Sequence, residues 1–73
     1  MSSTLDKLVM MANQIGKFYV PQKQVEPVGA IATHIRKFWD PRMRAAIISH
    51  LDHGGAGLDA PVREAVQRLK EGT

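Results

Sequence analysis

The stretch Pro27-Val28-Gly29-Ala30-Ile31-Ala32-Thr33-His34-Ile35-Arg36-Lys37-Phe38-Trp39-Asp40-Pro41 decides the fold. Val28, Ile31, Ala32, Ile35, Phe38 and Trp39 recur at steps of three and four, the repeat of one face of an α-helix. Pro27 suits the first turn, where a missing N–H has no helical acceptor to lose. Asp40-Pro41 then interrupts the period. Asp40 is placed as an N-cap with Pro41 at the first position of a third helix, and a residue before proline avoids helical geometry. The chain should therefore turn sharply at Asp40. Neighbouring helix positions lie about 100° apart, so only one of Phe38 and Trp39 can point deeply into the core, leaving the other near its rim.

The same reading extends to both sides. Upstream, Ser3 with Asp6 three residues later has the form of a capping box. Leu5, Leu8, Ala12, Ile15 and Tyr19 make one face of a helix from Thr4 to about Tyr19 apolar. Met11 and Phe18 widen that face on one side. Gly16 lies beside it on the other, where it lowers helix propensity but permits a neighbouring helix to approach closely. Pro21 ends the helix and opens a polar connector to Glu26. Downstream, Met43, Ile47, Ile48 and Leu51 form the inward side of a third helix that stops before His53-Gly54-Gly55. Asp59 and Pro61 open a fourth, with Leu58, Val62, Ala65, Val66 and Leu69 apolar and Glu64 and Arg68 spaced to pair. The expected fold is all-α, a small compact bundle of four short helices, with residues 1–73 forming one helical domain.

Composition narrows the functional classes. At 73 residues and 44% hydrophobic the chain should fold, but its core is close to the minimum size. Cysteine is absent, which excludes disulfides and thiolate ligation of zinc or iron–sulfur clusters by this chain. No apolar run is long enough for a membrane span and no signal region is evident, so a cytoplasmic protein without a membrane partner is expected. The net charge of +3 raises the alternative of a small basic nucleic-acid binder using Arg36, Lys37, Arg42 and Arg44. Acidic residues interspersed among the basic ones weaken the field and disfavour that alternative.

Catalytic and metal chemistry find little support. His50 and His53 are three apart at a helix end, but no further ligand completes a metal site, so a solvated pair favoured by the helix C-terminus accounts for them. Gly54-Gly55-Ala56-Gly57 precedes a helix without either established phosphate-loop pattern, and an inter-helix turn is the simpler reading. Ser49 and His50 are adjacent and point apart, so they form no triad. What remains is Arg36 to Arg44, where Phe38, Trp39 and Met43 lie among basic residues around a rigid Asp40-Pro41 corner. Trp and Arg are enriched at binding hot spots. The candidate partner-binding residues are thus Arg36, Phe38, Trp39, Asp40, Pro41, Arg42, Met43 and Arg44, with Asn13 and Gln14 on the first helix as a second location.

Several strings resemble the delta subunit of NAD-dependent, molybdenum- or tungsten-containing formate dehydrogenases. They are Leu8-Val9-Met10-Met11-Ala12-Asn13-Gln14-Ile15, Ile31-Ala32 with His34, Phe38-Trp39-Asp40-Pro41-Arg42-Met43-Arg44, Gly54-Gly55-Ala56-Gly57-Leu58, and Val62 with Ala65-Val66. The Phe-Trp-Asp-Pro-Arg-Met-Arg string is the most specific. The resemblance implies a non-catalytic accessory subunit or assembly factor of a cytoplasmic complex oxidising formate with NAD. It implies binding to the alpha subunit and support of assembly, or of cofactor loading or retention. The parent complex is implied to hold molybdopterin guanine dinucleotide with Mo or W, iron–sulfur clusters, FMN and NAD, none of them bound by this chain.

Overall fold

The Asp40-Pro41 corner divides two helices as its chemistry requires. In the computed structural model, which describes residues 4–72, Trp39 and Asp40 are both extended, and the Asp40 carboxylate accepts from Met43 N–H at 2.9 Å. Pro41 opens the next helix without losing a bond it could have made. The elements are α1 (Thr4–Tyr19), α2 (Pro27–Phe38), α3 (Pro41–Asp52) and α4 (Ala60–Gly72), with no strand among the described residues. The expected cap Ser3 lies outside the described residues.

α2 packs between α1 and α4, while α3 closes against α4 and α1. Leu8 and Ala12 of α1, Val28, Ile31, Ala32 and Ile35 of α2, Trp39, Ile47 of α3, Leu58, and Val62, Ala65, Val66 and Leu69 of α4 form one buried cluster. The apolar stripes read from the sequence thus meet in a common core. Gly16 shows how closely. A Cβ placed on it would lie 2.6 Å from Val62 Cγ2, so α1 and α4 touch where the glycine has no side chain.

The end of α3 is a Schellman closure. Gly55 N–H donates to His50 O at 2.9 Å and Gly54 N–H to Leu51 O at 3.0 Å, with Gly54 at φ 110°. The following loop is bound from three sides. Asn13 Nδ2 donates to Gly57 O at 2.8 Å and Asn13 Oδ1 accepts from Asp59 N–H at 2.9 Å. Arg63 donates to Gly54 O and Gly55 O, and His50 Nε2 donates to Ala56 O at 2.8 Å. With the amides of Gly54, Gly55, Leu58 and Asp59 all donating within the protein, this segment is an inter-helix turn.

Three sequence expectations need correction. Arg68 pairs with Glu26 at 2.8 Å rather than with Glu64, because it lies where α4 passes the start of α2. Glu26, read as the end of a polar connector, is the N-cap of α2, accepting from Val28 and Gly29 N–H. The His50 and His53 rings are not simply solvated. His53 Nδ1 donates to Ser49 O at 2.8 Å, and His50 secures the glycine loop.

Candidate functional site

Of the two aromatic residues at the corner, Trp39 enters the core at 4% exposure, and Phe38 stands out at 72%. Extended backbone at Trp39 lets the indole turn inward after α2 has ended, leaving Phe38 on the last helical turn. Phe38 therefore does not belong to the buried stripe, and its exposure is larger than a core rim would give.

Phe38 is one end of a row of rings. Its centroid lies 4.8 Å from His34, one helical turn back on the same side of α2. His34 meets Tyr19 of α1 edge-on at 6.1 Å, and Tyr19 meets Phe18 edge-on at 4.9 Å. Phe18 is 64% exposed. Beside this row, Met11, Gln14, Ile15, Phe18, Tyr19, His34 and Trp39 line an open groove of about 320 Å³. A second groove, containing Lys37, meets the first at Tyr19 and His34. Buried carbon gives water-free contact worth roughly 25 cal/mol per Å², so exposed rings aligned across two helices are a surface suited to covering.

The expected partner-binding residues divide by what their atoms already do. Trp39 fills the core, Met43 packs against it, and Asp40 caps α3. Pro41 starts α3 and is exposed. Asn13 holds the glycine loop. Arg44 reaches back over the corner, donating to Trp39 O and, at 3.2 Å, to Arg36 O. These are carbonyls that the end of α2 leaves without helical donors. Arg44, expected as a partner-binding residue, thus serves the fold through its guanidinium. Arg36, Arg42 and Gln14 remain exposed, and among the described residues the two arginine side chains have no hydrogen bond or ion pair. Elsewhere on the surface, Lys70 pairs with Asp52 at 2.6 Å.

The sequence reading omitted Phe18, Tyr19, His34 and Lys37 from the candidate site. A signal for Phe18 was present. Met11 and Phe18 extend the apolar arc of α1 beyond what one contact surface can cover, and an arc of that width marks a second contact.

Electrostatics add one local shift. The Arg68 guanidinium bonded to Glu26 is the main cause holding that carboxyl below its ordinary value of 4.5, with the Gly29 and Val28 amides assisting and desolvation opposing. This shift sits at a helix cap with structural duties. Among the described residues no group of three or more metal-ligating side chains is assembled.

Comparison with known proteins supplies the family. Residues 7–66 match the family model for the NADH-dependent formate dehydrogenase delta subunit, FdsD. The chain belongs to that family. No curated protein and no solved structure matches it. The FdsD match covers α1 from Lys7 onward, α2 and α3 completely, and α4 as far as Val66, so the residues of the aromatic row lie inside it. By family this is a subunit of formate dehydrogenase, and a subunit requires a complex to join. No helix among the described residues is long and apolar enough to cross a membrane.

Proposed function

We propose that the chain is a non-catalytic accessory subunit that docks on the alpha subunit of a cytoplasmic NAD-dependent formate dehydrogenase and supports its assembly or the loading or retention of its cofactor. The observation carrying this reading is the row in which the exposed rings of Phe18 and Phe38 flank the half-buried Tyr19 and His34, on a member of the FdsD family. A small domain gains stability when a partner that binds only its folded form covers such a surface.

The proposed complex would hold molybdopterin guanine dinucleotide with Mo or W, iron–sulfur clusters, FMN and NAD in its other subunits. This chain has no cysteine to ligate a cluster. Its contribution is a surface that would hold the alpha subunit in a conformation able to accept or keep its cofactor. Expression of the alpha subunit with and without this chain, followed by measurement of bound molybdenum or tungsten and of formate oxidation, tests the reading. We expect co-purification with the alpha subunit and a higher metal content when the chain is present. An alpha subunit that is equally loaded and active alone, and that fails to retain this chain, would overturn it.

A further inference from the structure

We infer that the aromatic row receives an amphipathic helix of the partner bearing acidic residues beside its apolar stripe. This inference rests on the docking reading above and specifies the chemistry of what docks.

The first argument is charge. Seven of the chain's ten Lys and Arg residues (Lys7, Lys17, Lys23, Arg36, Lys37, Arg42, Arg44) precede residue 45, against three of its seven acids, Asp6, Glu26 and Asp40. Glu26 is held by Arg68, and Asp40 by the Met43 amide. The two helices that bear the row, α1 and α2, carry Lys7, Lys17, Arg36 and Lys37 against Asp6, and Lys37 lines the groove beside Tyr19, His34 and Phe38, where the carboxylate present, Glu26, is already paired with Arg68. Carboxylates flanking an apolar stripe complement that surface.

A second argument concerns backbone. The described residues offer no strand edge, so an extended segment would find no ladder to complete its hydrogen bonds. A helix satisfies its own backbone and presents apolar side chains at steps of three and four. On its α1 side the groove is lined by Met11, Ile15 and Phe18, which follow that spacing, with Met11 and Phe18 exposed. A symmetric second copy is the competing occupant, but an isologous contact would set this basic surface against itself.

The test uses the full chain and a purified formate dehydrogenase complex lacking this subunit. A photoreactive phenylalanine analogue replaces Phe18 or Phe38, and the peptide it captures is sequenced. The expected peptide belongs to another subunit and carries apolar residues at helical spacing with neighbouring Asp or Glu. In parallel, Phe18→Ser with Phe38→Ser, and separately Lys37→Glu, should each weaken binding by about tenfold or more, with unchanged helical circular dichroism. Capture of a second copy, or of a basic or strand-forming segment, overturns the inference. So does wild-type affinity in both variants. If the unmodified chain fails to bind the complex at all, the docking reading itself falls.

Discussion

Gly16 and Val62 meet where α1 comes closest to α4. Alanine at position 16 would recover up to about 1 kcal/mol of helix propensity. Its methyl group would also meet Val62 Cγ2, and a buried β-branched side chain in a helix has little freedom to yield. Overpacking typically costs about 1 to 3 kcal/mol, so Gly16→Ala should lower the thermal midpoint on balance. An unchanged or higher midpoint would show that the helices separate easily. Glu26 supports a pH prediction. Because its folded value lies below 4.5, the stability it contributes is complete above that value and is lost as pH falls through the lower folded value. Glu26→Gln should remove part of the acid dependence of unfolding below about pH 5 while leaving the slope at neutral pH unchanged, as denaturant titrations at several pH values would show.

At the scale of elements, the corner between α2 and α3 combines a cap with a clamp. Asp40 serves the start of α3, and Arg44 serves the end of α2 from within α3. Asp40→Ala should cost about 1 kcal/mol through the lost cap. Arg44→Ala should cost a similar amount, about 1 kcal/mol, through the bared carbonyls. Arg42→Ala should leave stability nearly unchanged, because its guanidinium bonds to nothing among the described residues. Equal melting curves for Arg42→Ala and Arg44→Ala would contradict the clamp. The helices were legible in the sequence because each had both a stripe and a punctuation mark: Pro21, Pro27, Asp40-Pro41, Gly54-Gly55 and Pro61. Pairings between distant helices were not. Spacing within α4 favours Glu64 for Arg68, and only the packing of α4 on α2 brings Glu26 nearer. The candidate site was half legible for the same reason. Local sequence marks Phe38 and Trp39 as notable, but bringing Phe18 and Tyr19 of α1 beside His34 of α2 takes a tertiary contact.

The whole molecule depends on a core to which every helix contributes, with thirteen buried apolar side chains among the described residues. Ile35 is fully buried at its centre, so Ile35→Ala should cost about 2 to 5 kcal/mol and can unfold the isolated chain. Binding to the folded form should restore part of that loss, visible as a higher melting temperature when formate dehydrogenase complex is added in excess. An Ile35→Ala chain that melts like the unmodified one would show that the core tolerates the cavity. The position of α4 in this core also has a consequence in time. Val62, Ala65, Val66 and Leu69 enter last during synthesis, yet α2 buries itself against them and Gly16 closes on Val62. A nascent chain stopped before Val62 would have its three earlier helices without the surface that completes their core. Protease should digest such a ribosome-bound intermediate readily, with resistance appearing only after α4 has emerged. Joining a partner would then follow translation of this helix rather than accompany that of the first.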